Sequence, residues 1–385
     1  MSKEVDARLR ESLRRVYGSL LDNLLDLLYK PSKKLYVRVN TMYITRDELI
    51  ERFRDKGLIV KPDPYVEEAV YFDIEGPFNV PILDKKIVVD KEGAESIMIG
   101  ANLYAPGIVR YDEFSKGEEV TVIAPNGEPV AVVETTVSSE KLKNMDKGLV
   151  GINILSKYRA PPIRDLPEYS EGLFYPQSLP AMLTTRVLNP RPHELILDMN
   201  SAPGGKTSHI VQLSHGLARI IAFERNVRKA SMTAETLVRL RLFKNVMVLP
   251  MDSRYLDIDL NIIGKPDKIL IDPPCTGLGV RPKIYIDKSY EEVLILSKYQ
   301  IQFLKTASRV LKCNGLIVYS TCTITFEENE LVTLKAIREY SLEPIDLGFL
   351  PYSEKIEYED LIAYRFTPLY HDMPGYYIVA LTKKC

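Results

Sequence analysis

The sequence has no tryptophan, only four cysteines among its 385 residues, and no run of about 18 apolar residues. Without such a run, no segment is predicted to span a membrane. The N-terminal stretch MSKEVDARLRESLRR is charged throughout and lacks the apolar centre of a signal peptide. No two cysteines form a CxxC pair, so the usual spacing of zinc ligands is absent. We therefore expect a cytoplasmic protein with neither a metal site nor a membrane partner.

A strong charge of either sign is also missing, because 51 basic and 52 acidic residues give a net charge of −1. The overall charge therefore does not indicate a nucleic-acid binder, and any RNA-binding surface must be a local patch. Hydrophobic residues make up 45% and charged residues 27% of the chain, which is typical of globular domains. The length predicts two or three domains of roughly 100–200 residues each.

Three segments with different patterns predict three domains. Residues 1–80 combine an amphipathic helical pattern with the strand-like run LYVRVN and a short helix opened by Thr45, which indicates an α+β unit that supports RNA binding. Residues 82–154 contain short β-rich runs separated by glycine and proline, which predicts a small barrel or sandwich. After the proline-rich linker RAPPIRDLP, residues 160–385 form the third domain.

In the third domain, apolar β-branched runs alternate with helical patterns. The runs begin near residues 194, 219, 245, 267 and 315. Continuous apolar strands with crossover helices predict a parallel α/β sheet, to which GYYIVALTKK can add a last strand.

Three of these strands end in an acidic residue, namely Asp198, Glu224 and Asp252. Ligands of open α/β sheets bind beyond the carboxyl ends of the strands. There Glu224 can accept hydrogen bonds from ribose hydroxyls, and Asp252 from an adenine amino group. The first strand continues into NSAPGGKT, whose two glycines would let the backbone approach a ligand. Because neither a P-loop nor GxGxxG is present, the pattern favours a nucleoside ligand without phosphates.

Two further strands run into cysteines, in DPPC (residues 272–275) and in STC (residues 320–322). Carbon 5 of cytosine is too weak a nucleophile to take a methyl group directly, but a thiolate added to carbon 6 makes it enamine-like, so that it can attack a sulfonium methyl. Asp272 can hydrogen-bond the N3/N4 edge of such a base, and Lys206 can offer a cation. The target base must leave its stack. Cys313 and Cys385 receive no role.

Several alternatives remain open. Asp-Pro-Pro loosely resembles the tetrapeptide with which exocyclic-amine methyltransferases hold an NH2 group, although that chemistry would leave Cys322 idle. The thiols could exchange roles, with Cys275 as the attacking group. A non-catalytic RNA-binding scaffold would need neither thiol.

The motifs DMNSAPGGKT, IDPPCTGLGVRPK and YSTCTITFEENE resemble those of the NOL1/NOP2/Sun RNA (cytosine-5)-methyltransferases over about residues 160–385. The resemblance implies a Rossmann-like domain that binds S-adenosyl-L-methionine, with Cys322 as the attacking thiol and Cys275 assisting product release. Asp272 and Lys206 match positions that face the target base. The expected cofactor-binding residues are Asp198, Ser201, Ala202, Pro203, Gly204, Gly205, Lys206, Glu224, Arg225, Asp252, Asp272 and Pro274. The family usually has Cys-Ala where this chain has Asn200-Ser201, and both pairs are small enough for the loop.

The string VDKEGAESIMIGANLYAPGIV (residues 89–109) and the β-rich run after it resemble a PUA domain, a small RNA-binding barrel. A PUA domain before this catalytic domain resembles the tRNA methyltransferases that modify the acceptor-stem cytosine beside the discriminator base, cytosine 72. In that group the PUA domain grips the CCA end. The resemblance implies tRNA as the partner, no protein partner, and RNA contacts through Asn102, Tyr104 and Gly107. An rRNA target is the alternative.

Overall fold

A computed structural model describes residues 5–384, and Cys385 lies outside this range. The N-terminal elements are α1 (Ala7–Tyr17), α2 (Leu21–Leu28), β1 (Lys34–Val39), α3 (Arg46–Asp55), β2 (Val60–Pro62) and β3 (Ala69–Asp73). The predicted first helix is divided by a 3-10 turn at Gly18–Leu20, where Gly18 ends α1 with a φ of 54°. The side chain of Thr45 caps α3 and forms a capping box with Glu48.

Helices α1 and α2 pack against the C-terminal part of the chain. Their buried leucines share a core with Leu278, Val293 and Ile324. The Ser12 hydroxyl donates to Glu327 Oε1 at 2.6 Å, and the Tyr17 hydroxyl donates to the carbonyl of Ile324 at 3.0 Å. The N-terminal helices therefore support the segment that follows Cys322.

The middle part forms one six-stranded sheet in the order β5-β9-β8-β7-β4-β6. Its elements are β4 (Lys86–Val89), α4 (Lys91–Ile97), β5 (Leu103–Tyr104), β6 (Ile108–Tyr111), β7 (Glu119–Ile123), β8 (Pro129–Thr135), α5 (Ser139–Leu142) and β9 (Leu149–Ser156). The core of this sheet includes Ile284. Glu95 Oε1 accepts a hydrogen bond from the Ile284 amide at 3.1 Å, and Lys91 forms an ion pair with Asp287 at 2.6 Å. This sheet therefore docks on the loop around residue 284.

The C-terminal part contains the largest sheet, in the order β13-β12-β11-β14-β15-β19-β18-β17, with β16 paired to β19. Its elements are α6 (Pro167–Ser170), β10 (Phe174–Pro176), α7 (Leu179–Leu188), β11 (Leu195–Asp198), α8 (Gly205–Leu213), β12 (Arg219–Phe223), α9 (Val227–Arg239), β13 (Val246–Leu249), α10 (Leu256–Asp259), β14 (Lys268–Ile271), α11 (Tyr290–Val310), β15 (Leu316–Thr321), α12 (Glu330–Glu339), β16 (Leu342–Pro344), β17 (Glu354–Tyr358), β18 (Leu361–Phe366), α13 (Pro368–His371) and β19 (Tyr376–Lys383). The five predicted parallel strands pair as expected.

The remaining strands of the large sheet are antiparallel: β19 pairs with β15, β16 and β18, and β17 pairs with β18. Strand β10 joins the first sheet instead, in the order β10-β1-β3-β2. The chain after residue 160 therefore completes the N-terminal sheet before it enters the large one. The division at residues 1–80, 82–154 and 160–385 stays a prediction.

Alternate residues of the large sheet face two helical layers, because successive strand side chains point to opposite faces. Ile196, Leu270 and Val318 pack with α7 and α8, while Leu197 and Ile269 pack with α11 and α12. The carboxyl ends of the five parallel strands meet at one edge, which is where ligands bind in such sheets. No helix in the described range is long and apolar enough to cross a membrane.

Candidate active site

The structure brings the two predicted thiols together. Cys275 follows β14, Cys322 directly follows the neighbouring strand β15, and their Sγ atoms lie 3.4 Å apart. Both side chains are half-buried. Register between two parallel strands thus places two sulfurs at one point of the sheet edge.

The two thiols differ in their acidity. Hydrogen bonding to Cys322, followed by burial, raises the pKa of Cys275 well above its usual value. The same hydrogen bond lowers the pKa of Cys322, with help from the Lys206 and Lys283 cations and against burial and Asp272. The pair therefore favours a Cys322 thiolate that accepts a hydrogen bond from the Cys275 thiol.

Lys206 and Asp272 form an ion pair beside the thiols. Burial alone would lower the pKa of Lys206, but the Asp272 carboxylate and Tyr376 outweigh it and raise that pKa, so the ammonium stays charged. The second Asp272 oxygen accepts from the Ser320 hydroxyl at 3.1 Å. The pair thus offers a cation and a held carboxylate next to Cys322, as the sequence interpretation requires.

Cys322 lies between two cavities. The strand-end cavity, of about 590 Å³, is lined by Met199, Asn200, Ala202, Pro203, Glu224, Arg225, Asn226, Lys229, Met232, Asp252, Ser253, Asp272, Pro273, Pro274, Cys275, Tyr299, Phe303 and Cys322. The interdomain cavity, of about 340 Å³, is lined by residues from all three parts of the chain, among them Ser32, Tyr36, Ile99, Ser178, Arg281, Asp372, Tyr376 and Cys322. Cys322 therefore contributes to the walls of both cavities.

Seven predicted cofactor residues line the strand-end cavity: Ala202, Pro203, Glu224, Arg225, Asp252, Asp272 and Pro274. Asp252 lies there with its carboxylate held by Arg254 Nη2 at 2.6 Å. Although burial opposes it, this contact lowers the pKa of Asp252, which keeps the carboxylate charged. Asp252 therefore shares its oxygens between Arg254 and any ligand.

The other five predicted cofactor residues do not line that cavity: Asp198, Ser201, Gly204, Gly205 and Lys206. Asp198 is buried below the loop, where its Oδ2 accepts from the Thr207 hydroxyl at 2.6 Å. Burial raises the pKa of Asp198 to about 6 despite that bond. Asp198 thus supports the loop from beneath.

The two glycines have a packing reason. Gly204 has a φ of 99°, and a Cβ there would come within 3.1 Å of Thr236 on α9. A Cβ on Gly205 would lie 2.8 Å from the ring of Tyr175. Close approach of α8 to its neighbours therefore leaves no room for a side chain at either position, and the approach of a ligand to these glycines stays a prediction.

Several cavity residues were missed by the sequence interpretation. Tyr299 and Phe303 lie four positions apart on α11, with their rings edge to face at 5.1 Å. Helical spacing assigns such a pair to the core, so the pattern cannot distinguish it from a ligand-binding surface. Asn226 and Met232 were also missed. Both follow Glu224 closely in the sequence, and this closeness to the end of β12 was the signal that could have identified them.

Two of the three predicted RNA-contacting residues, Asn102 and Tyr104, line a groove of about 550 Å³ between the middle sheet and residues 160–165. Asn102 Nδ2 and the Tyr104 hydroxyl each donate to Asp165 at 2.8 Å. Gly107 does not line this groove; its backbone carbonyl accepts from the Asp90 amide at 2.7 Å. The groove thus includes Asn102 and Tyr104, while Gly107 serves the turn.

The shared hydrogen bond predicts different reactivities for the two thiols. Because the pKa of Cys322 is lowered and that of Cys275 is raised, iodoacetamide should alkylate Cys322 at a lower pH than Cys275. Cys275→Ala removes the donor, so the Cys322 midpoint should move to higher pH, and Cys275→Ser should move it less. Alkylation resolved by peptide mass spectrometry across pH 5–10 measures this. Equal midpoints in the wild type would contradict the assigned asymmetry.

Comparisons with known proteins show the family and the fold of the chain. The family model described as 16S rRNA methyltransferase RsmB/F matches residues 185–382, and the PUA domain model matches residues 85–154. The tRNA (cytosine(72)-C(5))-methyltransferase of Pyrococcus horikoshii is 38% identical over 327 residues, which cover 84% of this chain and 83% of that protein. The human tRNA (cytosine(72)-C(5))-methyltransferase NSUN6 is 29% identical over 366 residues, covering 86% and 77%.

The crystal structure of NSun6 from Pyrococcus horikoshii with SFG has a TM-score of 0.89 and 35% identity, and covers 98% of both chains. The fold is therefore a Rossmann-like methyltransferase domain joined to a PUA domain, as the motifs predict. The chain belongs to the RsmB/F family of methyltransferases, and its family resemblance is confirmed.

Proposed function

We propose that this protein transfers a methyl group from S-adenosyl-L-methionine to carbon 5 of an acceptor-stem cytosine of tRNA, cytosine 72, with Cys322 as the covalent nucleophile. The observation that carries the proposal is the position of Cys322, which lines both the strand-end cavity and the interdomain cavity. A methyl donor and a flipped base can thus meet at one sulfur. A cytoplasmic location is part of the proposal.

The strand-end cavity fits the methyl donor. Its volume lies in the range of small-molecule sites. Glu224 offers carboxylate acceptors for ribose hydroxyls, while Pro203, Met232 and Phe303 offer apolar surface for a base. When bound, S-adenosyl-L-methionine supplies an electrophilic sulfonium methyl. SFG, present in the similar Pyrococcus structure, is an analogue of this compound.

The residues at the sheet edge account for the chemistry at the base. The Cys322 thiolate adds to carbon 6 of the cytosine and the electron pair moves into the ring, where the Lys206 ammonium stabilises the developing negative charge and Asp272 hydrogen-bonds the N3/N4 edge. Carbon 5 then bonds to the methyl group as the bond between that methyl and the sulfonium sulfur breaks, and the sulfur leaves as the neutral thioether of S-adenosylhomocysteine. Loss of the carbon 5 proton to a base and expulsion of the Cys322 sulfur restore the aromatic ring. Cys275, 3.4 Å from that sulfur, is placed to assist this last step.

Exchange of the two thiols is the rival that the geometry addresses most directly. Cys322 lines both cavities, whereas Cys275 lines only the strand-end cavity of the two. Cys322 also holds the lower pKa of the pair, and a thiolate is the attacking species. Both observations favour Cys322. An exocyclic-amine methyltransferase would use neither sulfur.

The tRNA partner is supported by the relatives' names and by the PUA groove. Tyr104 is 42% exposed on an end strand of the middle sheet, and Arg164 lies in the same groove. An exposed aromatic ring with a nearby guanidinium suits a single-stranded 3′ end, because bases stack on such groups.

Removing the groove's polar and aromatic groups should weaken tRNA binding. We expect Asn102→Ala with Tyr104→Ala to raise the tRNA Kd about 10-fold to 100-fold, since stacking is worth about 1–3 kcal/mol per base. Filter binding measures the tRNA affinity, and calorimetry with S-adenosylhomocysteine should show an unchanged cofactor affinity. Val109→Ala, at the opposite end strand, is the control. Equal losses of both affinities would count against the groove.

The proposed reaction is tested by incubating unmodified tRNA transcripts with the enzyme and S-adenosyl-L-methionine. We expect bisulfite sequencing to show protection at cytosine 72, and nucleoside mass spectrometry to identify 5-methylcytosine. Methylation of rRNA fragments but not of tRNA would contradict the substrate. N4-methylcytosine as the product would contradict the thiol chemistry.

A further inference from the structure

We propose that Glu328 is a positioning residue, whose buried carboxylate ties the loop carrying Cys275 to the loop carrying Cys322 and so maintains the close approach of the two sulfurs. The inference deepens the proposed function and rests on it. Glu328 lies six residues after Cys322, has no exposed surface, and touches neither cavity.

On one side Glu328 holds the residue that follows Cys275. Its Oε1 accepts from the backbone amide of Thr276 at 2.8 Å, and its Oε2 accepts from the Thr276 hydroxyl at 2.6 Å. Two bonds to one residue restrict both the position and the rotation of the loop. The path of the chain at Cys275 is therefore set by this carboxylate.

On the other side Glu328 holds the segment that follows Cys322. Oε2 accepts from the Thr323 hydroxyl at 3.2 Å and from the Thr325 hydroxyl at 2.8 Å. The hydroxyls of Thr276 and Thr323 also lie 2.7 Å apart. Each cysteine is thus followed by a threonine that binds the same carboxylate.

A fifth donor comes from α11. Gln300 Nε2 donates to Glu328 Oε1 at 3.0 Å and to the carbonyl of Pro274 at 3.0 Å. An ionised carboxylate only accepts hydrogen bonds, so it can gather five donors that a neutral or apolar residue could not. A buried charge is costly unless it is paired in this way. The network therefore requires a carboxylate at this position.

The charge of Glu328 also acts on the Cys275 sulfur. After the hydrogen bond to Cys322, burial and the Cys322 charge, it is among the causes that raise the pKa of Cys275. The largest causes of the pKa shift at Cys322 are the hydrogen bond from Cys275, burial, Asp272, Lys206 and Lys283. The carboxylate thus helps keep the proton on Cys275 while Cys322 is the nucleophile.

The test compares Glu328→Gln with Glu327→Gln. Glu327 is the adjacent buried carboxylate, and its Oε1 accepts from Ser12 on α1. We expect E328Q to lower kcat about 100-fold, because a displacement of about 1 Å at a reacting group has an effect of this size. The KM for tRNA should stay within about twofold, since binding is untouched. E327Q should retain kcat within about threefold.

A second readout needs no RNA. Iodoacetamide alkylation across pH should show the Cys275 midpoint moving toward that of Cys322 in E328Q, and no such movement in E327Q. This result would stand even if the proposed tRNA substrate were wrong. Failure of the proposed function can therefore be distinguished from failure of the positioning role of Glu328. Unchanged midpoints in folded E328Q, or equal losses of kcat in both variants, would overturn the inference.

If E328Q does not fold, the double variant Thr276→Val, Thr323→Val tests the inference instead. It removes two of the hydroxyl groups that donate to Glu328 and leaves the carboxylate in place. We expect a lower kcat and a Cys322 midpoint at higher pH as the sulfurs separate. A wild-type kcat with an unmoved midpoint would overturn the inference.

Discussion

Cys322→Ala should reduce methyl transfer by at least about 10⁴-fold, the scale seen when a covalent nucleophile is removed. The reason is that Cys322 lines both the donor-sized cavity and the interdomain cavity. Asp272 and Lys206 remain, but without addition at carbon 6 the base has no nucleophilic carbon 5. Methyl transfer from labelled S-adenosyl-L-methionine to tRNA measures the loss.

Cys322→Ser is the matched control for packing, since it keeps a small polar group at the same place. Its hydroxyl is a far weaker nucleophile than a thiolate near neutral pH, so it should be as inactive as C322A. Both variants should bind S-adenosylhomocysteine as the wild type does. Activity of C322A within tenfold of the wild type, beside an inactive C275A, would transfer the nucleophilic role to Cys275.

Cys275→Ser should convert a transient covalent complex into one that accumulates. The Cys275 sulfur lies 3.4 Å from that of Cys322, and the pKa of Cys275 is raised by its hydrogen bond to Cys322 and by burial. A serine hydroxyl at this place is a far weaker acid than a thiol and transfers its proton in the release step less readily, so the Cys322 adduct should form and then fail to break down. Denaturing gels of C275S with tRNA and S-adenosyl-L-methionine should show a slow band that holds most of the enzyme.

The origin of that band can be checked with the double variant Cys275→Ser, Cys322→Ala, which should form no adduct. The single variant should complete about one methyl transfer and then stop. Multiple turnover by C275S at the wild-type rate, with no adduct, would remove the release role from Cys275.

The sequence predicted the parallel half of the large sheet well and the rest less well. Five strands were readable because apolar runs buried on both faces are continuous. Strands β17 and β18 were missed, and the exposed and charged residues of EKIEY at Glu354–Tyr358 explain the weak signal of β17. The placement of β10 beside β1 joins segments more than 130 residues apart, which local patterns do not encode.

The closeness of Cys275 and Cys322 was the most predictable feature of the site, since two cysteines after two neighbouring parallel strands come to the same edge of the sheet. The supporting residues were not predictable in this way. Glu328 lies in the quoted motif, yet nothing in its spacing shows that five donors converge on it. Tyr299 and Phe303 line the strand-end cavity, but their spacing on α11 is also that of ordinary core residues, so the sequence pattern did not identify them.

Covalent trapping tests the central claim most directly. A tRNA carrying 5-fluorocytosine at the target position should stall on the wild-type enzyme, because fluorine at carbon 5 cannot leave as the proton does. Digestion and mass spectrometry of the stalled complex then identify the attached sulfur. We predict a methylated, fluorinated nucleotide linked to the peptide that contains Cys322. Linkage to Cys275, or the absence of any linkage while methylation of ordinary tRNA proceeds, would contradict the account.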